Sequence, residues 1–369
     1  MNQRRNTGLD LARCFAMVLV WICHSGYFSV GVTYPILAFS GILAVDIFFV
    51  LSGRLIGKSM IAAVCAEHPA EELKRFYVNR VLRIVPMYYL VLLLTALVYR
   101  KEIHLYNFLF LNGVLGDGKL LMAHTWTLPV EVWFYLLGPL VLWGLTRLFS
   151  RKMPQKRAVL LAIGLMYTVP LLLRIWVVLT QNPSWDTGVR KQVFLRMDSL
   201  MLGVAMAAAK IYVPETYQKY GKKLLTLIGG VGGIALLYRY YCQNLLEDAA
   251  FDASQFWKIA WFTLLPMLCA LTIWYLENAE VMKKLQTTWL SKGLSAIATV
   301  SYGAYLVHLL IFEQVGARFA EKGFLANWIG FAGAMLLTLG GGFVLYMAVE
   351  KPCIKLRDKL LARKAETKV

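Results

Sequence analysis

The sequence predicts an all-α fold, a polytopic bundle of about ten transmembrane helices with both chain ends in the cytoplasm. Of its 369 residues, 59% are hydrophobic and 16% charged, whereas about 25% are charged in a typical soluble domain. Apolar runs close to the ~20 residues that cross a bilayer recur along the whole chain. No soluble domain could bury so many helices that are apolar all round. A membrane bundle is therefore the predicted fold.

The apolar runs predict ten spans, of which the third is short and the sixth contains Arg196 and Asp198. Residues 1–350 are predicted to form one membrane domain, followed by a short basic amphipathic tail, 351–369, on the cytoplasmic surface. The spans are predicted at residues 9–30, 35–57, 84–100, 126–149, 158–180, 193–213, 224–241, 257–277, 297–316 and 325–349.

The distribution of lysine and arginine predicts the orientation. With the N-terminus inside, 26 of the 39 basic residues fall in the cytoplasmic segments, which is the asymmetry expected of membrane proteins. The net charge of +18 then reflects topology and attraction to anionic lipid, and no nucleic-acid partner is needed. The six cysteines show no metal-ligand spacing, so no metal site is predicted.

Several ionisable residues lie inside the predicted spans. Each costs about 2.5–3.5 kcal/mol on insertion scales, so such residues usually face a cavity or one another. One or two ion pairs would suit a structural bundle, but this number predicts a polar chamber within the membrane. The residues are Arg13, His24, Asp46, Arg54, Glu131, Arg174, Arg196, Asp198 and His308.

Arg13 and His24 are eleven residues apart in the first span. Eleven steps of 100° end about 20° past three full turns, so both side chains share one helix face, about 16 Å apart along the axis. The spacing predicts a cation near the cytoplasmic end and an imidazole near mid-membrane, both facing one cavity. The alternative is that Arg13 reaches the headgroups and His24 only bonds a neighbouring helix.

Asp46 lies on an apolar stretch and is followed by the small pair Ser52 and Gly53. Small residues let a ligand or another helix approach the backbone closely. A tight helix crossing explains the small pair equally well, but it does not explain Asp46.

Arg80 and Arg83 lie at positions i and i+3 of a short helix predicted over 74–86, at the cytoplasmic surface and ended by Pro86. Two guanidinium groups on one face can bind phosphate oxygens in a fork. The alternative is ordinary positive charge on the cytoplasmic side.

Trp126 and Thr127 open the fourth span, with Thr127 as a possible helix cap and Pro129 in the first turn. Glu131 then lies about one turn inside the apolar region, where it needs a cationic partner such as Arg196 or a protonated carboxyl.

Ser301, Tyr305 and His308 form a polar stripe on the ninth span. The alternative for His308 is a histidine that packs between helices with its hydrogen bonds satisfied.

These motifs, in this order, resemble those of the integral-membrane acyltransferases of the acyltransferase 3 group, nearly end to end. The similarity comprises Arg13-x10-His24, Asp46 to Gly53, Arg80-x-x-Arg83 with Pro86, Trp126 to Glu131, Arg196-x-Asp198 with Gly203, Ser301 to His308, and Glu350-Lys351-Pro352. Two positions depart from the family pattern: Arg54 replaces a usual aromatic residue, and Thr127 a commoner serine.

The resemblance implies transfer of an acyl group, usually acetyl, from cytoplasmic acyl-CoA to a hydroxyl of a cell-envelope glycan or lipid-linked sugar. It implies an enzyme of the bacterial inner membrane with acyl-CoA as co-substrate and no permanently bound cofactor. His24 is expected as general base, or as an acyl-histidine relay, with Asp46 and Glu131 in support. Donor binding is expected from Arg13, Arg80, Arg83, Ser52 and Gly53, and the chamber from Trp126, Arg196, Asp198, Tyr305 and His308.

A transporter or flippase is the alternative function, with the intramembrane charges forming a substrate or proton path. The chain shows no internal repeat and no matched helix breaks in two halves, which counts against it. A structural scaffold would not explain the polar chamber.

Overall fold

The computed structural model describes residues 5–114, 121–319 and 322–366, and these residues form helices, turns and connecting segments with no β-strand. The predicted all-α fold is confirmed. Ten long helices follow one another in the order of the predicted spans. They are α1 Thr7–Cys23, α2 Tyr34–Val64, α3 Pro69–Tyr99, α4 Thr127–Phe149, α5 Gln155–Gln181, α6 Val193–Tyr212, α7 Leu224–Asn244, α8 Gln255–Asn278, α9 Trp289–Phe319 and α10 Phe324–Leu345.

Eight of these helices, within the described ranges, are long and apolar enough to cross a membrane. The other two are α1, which has 17 residues, and α6, which has 20 residues and contains Arg196 and Asp198. They correspond to the first and sixth predicted spans. The chain is thus a multi-pass membrane protein. The number of ten spans and the cytoplasmic location of both chain ends stay predictions.

Short helices and turns connect the long ones. They lie at Ser25–Phe28, Leu105–Phe108, Ala123–Trp126, Trp185–Arg190, Pro214–Gly221, Asp248–Ala253 and Glu280–Leu285. After α10 the chain continues without a break through a π-helical turn, Tyr346–Glu350, into a terminal helix, Lys351–Glu366. That helix covers most of the predicted tail, and residues 367–369 of the tail lie outside the described residues.

The helix expected to end at Pro86 does not end there. Helix α3 runs from Pro69 to Tyr99 with Pro86 inside it. Proline removes one backbone donor and crowds the preceding turn, but in an apolar environment every remaining backbone group still needs an internal partner. The helix therefore continues past Pro86. The third predicted span lies on the same continuous helix as Arg80 and Arg83.

The first span is also shorter than predicted. Helix α1 ends at Cys23, and His24 is its C-terminal cap residue, with φ −98° and ψ 6°. A 3₁₀ turn, Ser25–Phe28, follows, and Ser29 then takes a left-handed conformation, with φ 49°. The direction of the chain thus changes at His24.

Helices α2 and α6 make the most extensive contact in the bundle. A Cβ added to Gly53 would overlap the carbonyl of Leu200, and one added to Gly203 would overlap the carbonyl of Val50. Small residues allow this approach of two backbones. Gly53 therefore serves a tight helix crossing, the alternative considered for it.

Buried ion pairs tie the helices around this crossing. Arg196 of α6 pairs with Asp46 of α2, and Arg174 of α5 donates to Asp198 at 2.7 Å. Arg196 and Asp198 thus have partners on different helices, because residues two apart on a helix point to different sides. Removing one partner of such a pair leaves a buried charge and is strongly destabilising.

Arg54 is one of the two positions that depart from the family pattern. Its side chain belongs to a polar cluster separate from the ion pairs of Asp46 and Asp198. Its guanidinium donates to Glu277 of α8 at 2.8 Å. Lys210 and Tyr217 donate to the same carboxylate at 2.6 and 2.8 Å. This cluster ties α2 to α6 and α8.

Candidate active site

A cavity of about 130 Å³ lies between α1, α2, α3, α4 and α9. Three guanidinium groups line it, those of Arg13, Arg80 and Arg83. We call it the arginine cavity. Its other polar lining residues are Ser52, Thr127, Glu131, Tyr135, Ser301, Tyr302 and Tyr305.

The arginine cavity carries an excess of positive charge. Arg83 lies 3.5 Å from Glu350, measured from Nε to Oε1. Within the part of the chain that the structure describes, no carboxylate lies within ion-pair distance of Arg13 or Arg80. The buried Nε of Arg80 has no described hydrogen-bond partner. Guanidinium groups in excess over carboxylates around one space suit a phosphate-bearing ligand.

Glu131 is the carboxylate that lines the arginine cavity. Ser52 donates to its Oε1 at 2.8 Å, and Tyr135 donates to its Oε2 at 2.8 Å. The suggested partner Arg196 is wrong, because that side chain is held by Asp46 and lies over the Phe262 ring at 4.3 Å. Two hydroxyl donors thus orient Glu131 without neutralising it.

Tyr305 borders the arginine cavity at the end where Thr127 lies. Its hydroxyl donates to the backbone carbonyl of His124 at 2.5 Å and shares a 2.8 Å bond with the hydroxyl of Thr127. Thr127 is the first residue of α4 and caps no backbone donor, so the expected capping role is wrong. The Thr127 hydroxyl instead forms a hydrogen bond with the hydroxyl of Tyr305.

The imidazole rings of His24, His124 and His308 form one group, which we call the histidine cluster, and Tyr305 lies beside two of them. His308 of α9 has its ring centroid 5.0 Å from that of His24 and 4.6 Å from that of His124. The Tyr305 ring lies 5.3 Å from His124 and 5.6 Å from His308. Tyr305 therefore contacts the cluster on one side and the arginine cavity on the other.

Backbone carbonyls define the tautomers of two rings in the cluster. Nδ1 of His24 lies 2.9 Å from the carbonyl of Val20, and Nδ1 of His308 lies 2.6 Å from that of Tyr305. Because a carbonyl oxygen only accepts, Nδ1 carries the proton in both rings. Nε2 is then the basic nitrogen, as a general base or nucleophile requires.

His24 and Arg13 do not line one cavity, contrary to the expectation from their spacing. Arg13 lines the arginine cavity, whereas His24 lies against His308. The prediction assumed that the helix continues through residue 24. It is wrong because α1 ends at Cys23 and His24 lies outside the helix.

Seven further residues expected in the chamber do not line the arginine cavity: Asp46, Arg54, Trp126, Arg174, Arg196, Asp198 and His308. Asp46, Arg196 and Asp198 are engaged in the buried ion pairs. Trp126 is buried, with the Arg190 guanidinium 5.2 Å from its ring centroid.

Two residues near the cluster were missed by the sequence reasoning, His124 and Glu313. Both line a second cavity beyond the histidine cluster. Glu313 lies within the predicted ninth span and had the same signal as His308, an ionisable residue in an apolar helix. His124 comes just before the predicted fourth span and carried no such signal.

Fold and site together define a class: a multi-pass helical membrane protein in which a cationic cavity adjoins a cluster of buried imidazoles. The sequence assigns the family. The model of the acyltransferase domain family matches residues 6–347, and the chain belongs to this family. The resemblance noted from the motifs is thereby confirmed.

Similar curated proteins include the O-acetyltransferase OatA of Staphylococcus aureus strains NCTC 8325 and COL. Each is 25% identical over 344 residues, which cover 85% of this chain and 52% of the relative. The chain thus spans about half the length of these relatives. No solved structure matches the chain.

Proposed function

We propose that this chain is a membrane O-acyltransferase that moves an acyl group, acetyl first of all, from acyl-CoA to a hydroxyl of a cell-envelope glycan or lipid-linked sugar. The convergence of Arg13, Arg80 and Arg83 on one cavity is the observation that carries the proposal. CoA bears several phosphates, and guanidinium groups match them in charge and geometry. Family membership and the name of the relatives agree with this chemistry.

The donor is proposed to enter from the cytoplasm, with its phosphates on the arginines and its thioester toward Ser52, Glu131 and Tyr305. The basic residues predicted to be cytoplasmic include Arg80 and Arg83, which supports this direction. We place the enzyme in the bacterial inner membrane, where cytoplasmic acyl-CoA and an envelope acceptor lie on opposite faces.

His24 is the proposed general base. Its Nε2 takes the proton of the acceptor hydroxyl while that oxygen bonds to the thioester carbon. The carbon–sulfur bond then breaks, and the thiolate takes up the proton, so the products are an ester and free CoA. In the alternative relay, Nε2 first accepts the acyl group, releasing CoA, and the hydroxyl then displaces the imidazole.

The test uses the purified protein in nanodiscs with radiolabelled acetyl-CoA and a solubilised glycan fraction from a deletion strain. Wild type should transfer label to glycan and release one thiol per ester, and His24→Ala should lose transfer by at least a hundredfold. Full transfer by His24→Ala would refute both roles of His24.

A donor-only reaction separates the two mechanisms. Acid-quenched protein, digested and analysed by mass spectrometry, should carry acetyl on the His24 peptide only if the relay operates. A transporter, the competing function, would consume no acetyl-CoA in either reaction.

A further inference from the structure

A second cavity of about 210 Å³ lies beyond the histidine cluster. It is bordered by the turn after α1, by α3, by residues 121–124 and by α9. We call it the Glu313 cavity, and the proposed function does not yet use it. Its polar lining residues are Tyr27, Thr95, Tyr99, Lys101, His124 and Glu313.

Helix α9 joins the two cavities. Ser301 lines the arginine cavity and Glu313 lines the other. The twelve residue steps from Ser301 to Glu313 rise about 18 Å along a helix. Tyr305 and His308 lie between them, so a ligand in the Glu313 cavity would approach the histidine cluster from the side opposite the arginine cavity.

Glu313 has hydroxyl partners and no cationic partner among the residues that the structure describes. Tyr27 donates to its Oε1 at 3.1 Å, and Tyr99 donates to its Oε2. Lys101 lines the same cavity, with its Nζ 5.6 Å from the centroid of the Tyr99 ring. A carboxylate within a predicted membrane span is normally paired with a cation. Glu313 instead has spare acceptor sites facing a cavity.

His124 lines the same cavity with only 8% of its surface exposed, and neither ring nitrogen has a described partner. A neutral imidazole has one donor and one acceptor. An alcohol hydroxyl both donates and accepts, so it satisfies either nitrogen. Burying a polar ring whose nitrogens lack hydrogen-bond partners costs free energy, unless a bound ligand supplies those partners.

We infer that the Glu313 cavity binds the acceptor, a polyol of the sugar class, through at least two of its hydroxyl groups. One hydroxyl donates to Glu313 beside Tyr27 and Tyr99, and another bonds to His124 next to the histidine cluster. One carboxylate and one ammonium group, those of Glu313 and Lys101, line this cavity, and the three guanidinium groups suited to the donor phosphates line the arginine cavity instead. This inference rests on the proposed function, since it assigns the second substrate of the same reaction.

The experiment measures initial rates of label transfer from saturating acetyl-CoA while the solubilised glycan fraction is titrated by dry mass. Glu313→Gln keeps the shape and removes the charge, and it should raise the half-saturating glycan concentration at least tenfold. Tyr27→Phe, a milder change, should raise it at least threefold. CoA affinity by calorimetry should stay within twofold of wild type in both variants, which also shows that they fold. Tyr34→Phe, an exposed position on α2, is the matched control and should behave as wild type.

Three outcomes oppose the inference, and they are distinguishable. Unchanged half-saturation in both variants, with normal rates, would overturn the acceptor site and leave the proposed function standing. A fall in the maximal rate alone would also overturn it, because it would indicate a role in positioning the cluster rather than in binding glycan. No transfer by wild type would overturn the proposed function itself.

Discussion

His24 and His308 meet at 5.0 Å between ring centroids, and each donates its Nδ1 proton to a backbone carbonyl. His24 caps the C-terminal end of α1 and His308 lies on α9, so the two rings are far apart in the chain. Both therefore present Nε2 as the basic nitrogen, and the Nε2 of His308 is buried without a described partner. The fixed tautomers leave Nε2 of each ring as the nitrogen that can accept a proton, as the proposed role of His24 requires.

The first prediction concerns His308. His308→Gln keeps a polar side chain but removes the ring that packs between His24 and His124. We expect transfer to fall about tenfold or more, the lower range for loss of a group that orients a catalytic base. CoA affinity should not change, because His308 does not line the arginine cavity. Weakened CoA binding in this variant would contradict the separation of the two regions.

The second prediction concerns donor binding. Arg80→Ala and Arg83→Ala should each weaken CoA binding about 10- to 100-fold, because a hydrogen bond to a charged group contributes about 1.5–3 kcal/mol. Calorimetry in nanodiscs measures this, and the effect should shrink as salt rises. Arg75→Ala on the same helix is the control, since that side chain is exposed and pairs with Glu72. An equal loss in all three variants would indicate general surface charge instead of a site.

Much of the arginine cavity could be predicted from sequence. Arg13, Ser52, Arg80, Arg83 and Glu131 all line it. Arg13 and Glu131 are predictable because a charged side chain inside an apolar run is costly and must turn inward. Arg80 and Arg83 are predictable because their spacing of three places them on one face of a helix. The long helices were predictable for the related reason that backbone groups in lipid must bond within the helix.

The partners of the buried charged residues outside the arginine cavity could not be predicted from the sequence. Asp46 and Arg196 are 150 residues apart, and their pairing depends on α2 lying against α6. His124 lies in a turn between predicted spans, so its burial follows only from the packing of α9 against it. Glu313 could have been found, because the rule that selected His308 applies equally to it.

The third prediction concerns the buried pair on α2 and α6. Asp46→Asn removes one charge and leaves Arg196 buried without its counter-ion. We expect the free energy of unfolding to fall by about 3–5 kcal/mol. A thermal unfolding scan of the detergent-solubilised protein should show a lower midpoint. Lys283→Ala, which breaks an exposed pair with Glu280, should leave the midpoint unchanged. Equal midpoints in the two variants would contradict the framework role.

The fourth prediction compares two helical glycines. Gly53→Ala should destabilise the protein by about 1–3 kcal/mol, because the new methyl group would overlap the carbonyl of Leu200 and force α2 from α6. Gly164→Ala on α5 places its methyl group in open space, and alanine favours a helix by up to about 1 kcal/mol. In a thermal unfolding scan, the midpoint temperature should therefore fall for Gly53→Ala and rise for Gly164→Ala. A shift in the same direction would contradict the tight crossing.

The last prediction concerns Tyr305, which links the two halves of the site. Tyr305→Phe keeps the ring and removes the hydroxyl that bonds Thr127 and the carbonyl of His124. Each lost bond is worth about 0.5–1.5 kcal/mol, so misplacement of the cluster should lower transfer about three- to tenfold. CoA affinity should change less than twofold, since the arginines remain. Tyr77→Phe is the control, because it loses a similar bond to the carbonyl of Leu136 away from the site. If both variants transferred label at the wild-type rate, Tyr305 would be packing alone, and the contact between cavity and cluster would not matter to the reaction.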